Sequence, residues 1–110
     1  MGSNVDIDFI SRLKGIVMQN LPDSLLSVSY LASEVSMSER QLLRKLKSLT
    51  GYSVIQFIKE IKLQEAKRLL EHRLVETVSD ASYKVGFDKV NYFSSMYIER
   101  FGIRPSDSLK

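Results

Sequence analysis

Between Leu31 and Leu49 the chain reads LASEVSMSERQLLRKLKSL, which predicts a short helix, a turn at residues 35–37 and a second helix. Ser38 is the expected N-cap of this second helix, because its hydroxyl can accept a hydrogen bond from an amide left unpaired at a helix start. The spacing of apolar and basic residues divides the second helix into two faces. The apolar stripe consists of Leu42, Leu46 and Leu49, and the basic stripe of Arg40, Arg44 and Lys47.

These two stripes suit a helix placed in the major groove of DNA, although any solvated amphipathic helix has a similar pattern. A repetition of the pattern favours the DNA interpretation. The matched pairs are Ala32 with Ser82 and Val35 with Val85 at an offset of 50, and Leu42 with Phe93 and Leu46 with Tyr97 at an offset of 51. One extra residue in the second turn accounts for the change of offset. The chain is therefore predicted to carry two helix-turn-helix units.

The remaining apolar spacing predicts an all-α fold of about seven helices, since no segment alternates with the period of a strand. A first amphipathic helix follows Asp6 and Asp8, and residues 21–23 end it. Ser53 is expected to cap a long, rigid linker helix that ends near residue 72. Its basic residues are predicted to lie on its solvent-facing sides: Lys59, Lys62, Lys67 and Arg68.

The second unit is predicted from a further set of helix signals. Thr77 can cap a short helix that runs to Lys84. Asp88 is the expected N-cap of the last helix, which should end near Arg100. Its inward stripe is predicted to contain Phe93, Met96, Tyr97 and Phe101, as core residues rather than a platform for stacking bases.

Composition excludes several functional classes. The 110 residues are enough for one domain with a modest core, and there is no cysteine and a single histidine, His72. No zinc site, catalytic triad or phosphate-binding glycine loop can be assembled from these residues, so we expect no metal, no cofactor and no catalytic residue. No apolar run approaches the ~20 residues that span a bilayer, which predicts a soluble, cytoplasmic protein.

The distribution of charge favours a polyanionic partner. Residues 1–37 carry two basic and four acidic side chains, residues 38–68 carry eight and three, and residues 69–110 carry six and six. The net charge of +3 is therefore concentrated around the basic stripe and the start of the linker helix. A local basic patch is what attraction to nucleic acid requires.

A set of motifs connects the chain to a known family. They are Leu31-Ala32, Ser38 with Leu42, Arg44 and Lys47, the run Thr50-Gly51-Tyr52-Ser53, Phe57-Ile58, Leu63 with Ala66 and Leu69-Leu70, Val85-Gly86-Phe87, Tyr92-Phe93-Ser94, and Phe101-Gly102 with Pro105-Ser106. At this spacing the chain resembles the DNA-binding domain of AraC/XylS-type transcription regulators, from Phe9 to Asp107. A narrower resemblance is to the output domain of hybrid two-component or other sensor-linked regulators.

The resemblance implies which side chains contact DNA. In the first unit they are Arg40, Leu43, Arg44, Lys45 and Lys47, and in the second they are Lys89, Val90, Asn91, Ser94 and Ser95. For Val90 the alternative is a side chain packed against the protein. The chain departs from the family pattern at Ser95, where Arg is common, and at Ile98, where Lys is frequent. We therefore expect the second unit to make fewer base contacts, with Asn91 as its main reader.

The sequence thus predicts an AraC-type, homeodomain-like domain over residues 4–110, after an expression remnant at 1–3. Its first helix-turn-helix unit is expected at about 28–50, the linker helix at about 53–72 and the second unit at about 77–101. Its expected function is sequence-specific binding of double-stranded DNA in successive major-groove segments, as the output domain of a bacterial transcription regulator. The expected partners are double-stranded DNA, RNA polymerase, and a sensing or dimerising domain absent from this chain. Two alternatives remain, a helical module presenting its basic face to an acidic protein and non-specific coating of DNA.

Overall fold

The computed structural model describes residues 4–22 and 26–109, and this part of the chain is entirely helical apart from its connections. Its seven helices are α1 (Asn4–Gln19), α2 (Val28–Glu34), α3 (Glu39–Thr50), α4 (Val54–Glu71), α5 (Val78–Lys84), α6 (Val90–Phe101) and α7 (Pro105–Ser108). The predicted all-α class and the number of helices are confirmed. The residues interpreted as an expression remnant lie outside the described residues, as does Asp23 of the predicted break after α1.

The helices form two compact units. The first contains α1, α2, α3 and α4 as far as Ile61, and the second contains Leu21, Pro22 and the chain from Lys62 onward. In the first unit the buried side chains are Leu13, Ile16, Val17, Leu31, Ala32, Val35, Leu42, Leu46, Val54, Phe57 and Ile61. In the second they are Leu63, Ala66, Leu69, Leu70, Val75, Ala81, Val85, Phe87, Phe93 and Tyr97. Every residue of the predicted repeat pairs is buried within its own unit.

The first helix begins earlier than its apolar spacing indicated. Asp6 lies in the first turn of α1 and Asp8 in the second, so both are helical residues rather than a lead-in. The guanidinium of Arg12 donates a hydrogen bond of 2.9 Å to the backbone carbonyl of Glu34, the last residue of α2. This contact holds α1 against the helix that precedes the first turn.

The two turns share one backbone pattern. The amide of Met37 donates to the carbonyl of Ala32 at 2.9 Å, and the amide of Phe87 donates to the carbonyl of Ser82 at the same distance. These donors and acceptors are related by the same offset of 50. The correspondence therefore extends through the turn itself, and the extra residue of the second unit must follow Phe87.

That extra residue is Asp88, and it alters the start of the last helix. The N-cap of α6 is Lys89, whose side chain makes no capping hydrogen bond, so the predicted cap at Asp88 is wrong by one residue. The turns before this point both contain a residue in the left-handed region, Ser36 with φ 56° and Gly86 with φ 95°. Serine tolerates this conformation at a cost that glycine does not incur.

Three of the four basic residues predicted on the solvent-facing sides of α4 are half-buried instead: Lys59, Lys62 and Lys67. Arg68 is exposed, as predicted. The Nζ of Lys62 lies 3.5 Å from the carbonyl oxygen of Gly86 and 5.5 Å from the ring centroid of Phe87, and burial lowers the pKa of this ammonium group. The Nζ of Lys67 lies 5.4 Å from the ring centroid of Phe101. The ammonium groups of Lys62 and Lys67 therefore each lie near an aromatic ring of the second unit, as in a cation–π contact.

Candidate nucleic-acid interface

The candidate interface is built first on α3, whose two ends are both closed by local hydrogen bonds. The hydroxyl of Ser38 accepts from the amide of Gln41 at 3.1 Å, and the side chain of Gln41 accepts from the amide of Ser38 at 2.9 Å. This reciprocal capping box satisfies two donors that a helix start leaves free. At the other end Gly51 adopts the left-handed conformation, with φ 79°. The predicted caps of α3 are confirmed, and they define the helix over its full length.

Four side chains on α3 form an exposed stripe that we call the α3 face: Arg40, Leu43, Arg44 and Lys47. They follow the spacing i, i+3, i+4 and i+7, which places them on one side of a helix. Leu42 and Leu46 are buried on the opposite side, at 0% and 1% exposure. Within the described part of the chain, neither guanidinium group of this face is held in an ion pair. Two cationic forks are therefore available to an external partner.

Two other predicted contact residues of α3 are already engaged with the protein. The Nζ of Lys47 donates to the carbonyl oxygen of Gly51 at 2.8 Å, which neutralises part of the partial negative charge at the C-terminus of α3. Lys45 is half-buried, and its Nζ lies 4.5 Å above the ring of Phe9 on α1. The positive charges of Lys45 and Lys47 remain near the α3 face, but the guanidinium groups of Arg40 and Arg44 are the donors more readily available to a partner.

The structure adds two residues that the sequence reasoning did not select. Gln41 and Ser48 line an open groove of about 590 Å³, together with Arg44 and Lys45 and the turn residues Ser36 and Met37. Gln41 and Ser48 could have been found from the sequence, because they share one side of the helix with Arg44 and Lys45 at the spacing i, i+3, i+4 and i+7. The groove borders the α3 face and supplies polar groups along its edge.

A corresponding stripe lies on α6. We call Asn91, Ser94, Ser95 and Ile98 the α6 face, and each is related to a residue of the α3 face by an offset of 51. Asn91 and Ser95 are exposed and Ser94 is half-buried. The hydroxyl of Ser95 donates to the backbone carbonyl of Asn91 at 3.1 Å, and Ile98 is 43% exposed.

The two residues that open α6 differ in exposure. Lys89 is exposed at the N-cap and Val90 is half-buried. Half-burial of Val90 is compatible with both interpretations of this residue.

The orientation of α6 is set by aromatic packing on its other side. Phe93 and Tyr97 are both 0% exposed, with ring centroids 5.7 Å apart. The hydroxyl of Tyr97 lies 2.7 Å from that of Ser108 on α7, and burial raises the pKa of this phenol. These rings form the core of the second unit, as predicted, and leave the α6 face directed away from it.

The two faces differ most in charge. Helix α3 contains four basic residues and one acidic residue. Helix α6 with its N-cap contains Lys89, Glu99 and Arg100, and none of these belongs to the α6 face. The α3 face therefore offers cationic donors, whereas the α6 face offers an amide, two hydroxyls and an alkyl group.

Two further searches of the described residues bear on other classes of function. No helix among them combines the length and the apolar character needed to cross a membrane. In the same part of the chain, no group of three or more His, Cys, Asp or Glu side chains comes together as a metal site.

Comparison with known proteins identifies a helix-turn-helix domain in this chain. A family model described as "Helix-turn-helix domain" matches residues 31–110. "Histidine kinase P4" of Formosa agariphila is 32% identical over 104 residues, which are 94% of this chain and 8% of that protein. "HTH-type transcriptional activator RhaS" of Klebsiella pneumoniae is 34% identical over 76 residues, or 69% of this chain and 27% of that protein. The chain thus spans about a quarter or less of these relatives.

A solved structure shows the same architecture. A transcriptional regulator from Chromobacterium violaceum, described as containing an AraC-type DNA-binding domain, superposes with a TM-score of 0.86 at 24% identity. The superposition covers 96% of this chain and 93% of that one. The two chains therefore share a fold.

Proposed function

The chain belongs to the family of AraC-type helix-turn-helix domains of transcription regulators, and from this premise we propose that its α3 and α6 faces read base pairs in the major groove of double-stranded DNA. The observation that carries the proposal is the pair of exposed guanidinium groups of Arg40 and Arg44 on a helix capped at both ends. A rigid helix presenting forked donors is suited to a groove whose guanine edges offer paired acceptors.

In the first unit, Arg40 and Arg44 make the base contacts and Leu43 meets a thymine methyl group. Lys45 and Lys47 contact phosphates, for which Lys47 exchanges its bond with the Gly51 carbonyl for a phosphate oxygen. Phosphate contacts position the helix, and the amides at helix N-termini can add to them. Gln41 and Ser48 border this contact area as additional hydrogen-bonding groups.

In the second unit, Asn91 is the main reader, and Ser94, Ser95 and Val90 are secondary contacts. Lys89 lies at the entrance of α6 and contacts the backbone of the DNA. Because the α6 face lacks a cation, this unit contributes less of the affinity that depends on salt.

The two units act as the halves of one reader. We assign the first helix-turn-helix to about 28–50, the linker to about 53–72 and the second to about 77–101, within a domain that spans residues 4–110. The continuous helix α4 carries the chain from one unit to the other. Bound to one duplex, the units would occupy successive major-groove segments, about 34 Å apart.

The wider role that we propose is supported by relatives several times longer than this chain. RhaS is named a transcriptional activator, and the kinase relative joins a similar segment to a much larger protein. We propose that this domain acts without catalysis of its own, as the output part of a bacterial regulator whose other region senses a signal or dimerises. Its further partner is RNA polymerase, and its place of action is the cytoplasm.

The experiment is a selection of bound sequences from random double-stranded DNA in the presence of excess competitor. We expect a defined consensus, and an affinity that falls with salt by about 0.9 units of logarithmic slope for each phosphate-contacting cation. If the bound pool has no consensus, the protein only coats DNA. If no DNA is retained, the proposed function is wrong, and the alternative to be tested next is a basic face that binds an acidic protein.

A further inference from the structure

The α3 and α6 faces have the same geometry and different chemistry. Each consists of four side chains at i, i+3, i+4 and i+7, the spacing with which homeodomain recognition helices read the major groove. At about 1.5 Å per residue such a stripe covers about 10 Å, or about three base pairs. Since each face covers a site of similar size, the identity of its side chains decides which base pairs it accepts.

The α3 face is suited to guanine. Arg40 and Arg44 carry only donors, and guanine presents two acceptors, N7 and O6, at its major-groove edge. Leu43, which is 43% exposed, can add a thymine methyl contact.

The α6 face has no side chain that favours guanine. Asn91 carries a carboxamide, whose carbonyl oxygen can accept from N6 of adenine while its NH2 group donates to N7. The hydroxyls of Ser94 and Ser95 can each donate or accept a hydrogen bond, so they do not distinguish adenine from guanine. Ile98 has no polar atom and is 43% exposed, and the thymine methyl is the apolar group among the base edges of the major groove.

We infer that the α6 face selects A·T base pairs, with Asn91 bound to adenine and Ile98 packed on a thymine methyl group. This inference rests on the proposed function and adds to it the base composition of one half of the DNA site. It also assigns a specificity role to Ile98, which stands at the position corresponding to Lys47.

The packing of α6 allows this role to be tested without disturbing the fold. The buried side of the helix is provided by Phe93 and Tyr97, so a substitution at Ile98 leaves the core intact. In the first unit the corresponding Lys47 donates a hydrogen bond to the carbonyl oxygen of Gly51 at the end of its own helix, whereas the side chain of Ile98 has no donor and makes no such bond. A short, exposed apolar side chain of this kind can pack directly against a methyl group at the edge of a base.

The test begins with selections performed on the unmodified chain and on Asn91→Ala. Positions whose preference relaxes in the variant locate Asn91 on the DNA. Together with the selected positions within about three base pairs of them they form the half-site of α6, and we expect A·T pairs there. In a duplex of the selected sequence, each thymine of that half-site is then replaced by uracil, which lacks only the methyl group. One replacement should weaken binding about fourfold, as expected for one buried methyl group. Replacing adenine by 7-deazaadenine, which lacks N7, should also weaken binding.

The matched variant is Ile98→Lys, which restores the cation present in the first unit. Its affinity should be insensitive to uracil, and its logarithmic salt dependence should steepen by about 0.9. Circular dichroism verifies that the variant is folded. A G·C consensus in the α6 half-site, or equal sensitivity to uracil with and without Ile98, would overturn the inference while the proposed function stands. A selection without any consensus would instead refute the proposed function itself.

Discussion

Removal of the Ser38 hydroxyl should weaken DNA binding through loss of order at the start of α3. The chain offers a matched control, because Ser53 and Gln56 form a second capping box at the start of α4. Its two hydrogen bonds measure 3.1 and 2.9 Å, the same distances as in the box of Ser38 and Gln41. Ser38→Ala and Ser53→Ala therefore remove equivalent interactions from two different helices.

The expected cost in stability is the same for both variants. Replacement of an N-cap serine by alanine lowers the free energy of unfolding by about 1 kcal/mol. For a domain of this size such a change lowers Tm by about 4–8 °C. Urea and thermal unfolding, followed by circular dichroism, measure both quantities.

The cost in binding should differ. Arg40 lies in the first turn of α3, so fraying of this turn releases a proposed base contact. A loss of about 1 kcal/mol in the ordering of the turn corresponds to about a fivefold loss of affinity for the selected DNA. Ser53→Ala frays the first turn of α4, which carries no residue of either face, and should change affinity less than twofold.

Titration of labelled DNA by fluorescence anisotropy measures the two affinities, and Ser38→Thr, which retains a hydroxyl, should recover most of the loss. The reasoning is refuted if both alanine variants lose the same affinity. It is equally refuted if Ser38→Ala loses stability and binds DNA as well as the unmodified chain.

Three further predictions concern other parts of the chain. Arg44→Ala should weaken binding to the selected DNA by about 1–3 kcal/mol. Asn91→Ala should cost less sequence specificity than Arg44→Ala, because the second unit is expected to make fewer base contacts. Equal losses of specificity in a repeated selection would contradict this difference between the units. Gly86→Ala should destabilise the fold by about 3 kcal/mol in urea unfolding, because the φ of Gly86 is 95° and an added Cβ would lie 3.1 Å from a backbone carbonyl oxygen. Gly102→Ala should cost only about 1 kcal/mol, because the φ of Gly102 is 75° but an added Cβ would meet no neighbouring atom. Burial lowers the pKa of Lys62, so at pH values just below the ordinary pKa of a lysine the unfolded chain binds more protons than the folded chain. The free energy of unfolding should therefore rise with pH in that window. Lys62→Met should remove this rise, and an unchanged slope would contradict the prediction.

Local signals in the sequence were sufficient to predict the helices and the positions of most caps. Ser38, Ser53 and Thr77 all cap the helices that they were expected to cap. Capping depends on a side chain and an amide three residues away, so a short window contains the whole interaction. The periodic burial of Leu42 and Leu46, and of Phe93 and Tyr97, follows from helical geometry in the same way.

The incorrect prediction at Asp88 shows where a local signal is ambiguous. Aspartate is a better cap than lysine, and the preference alone placed the helix start at Asp88. The backbone of the second turn instead places Lys89 at the N-cap. The offset of 51 between Leu42 and Phe93 already relates Ser38 to Lys89, so the repeat contained the correct position.

The sequence by itself therefore determined the fold class, the repeated units and the division of each second helix into an inward and an outward stripe. Those properties depend on the helical period and on interactions within a few residues. Tertiary structure decided which cations remain in solvent: Lys45 lies over Phe9, Lys62 lies against the second turn, and Arg44 stays exposed. A long basic side chain on the flank of a helix is buried or exposed according to what packs opposite it, and that neighbour comes from a distant part of the chain.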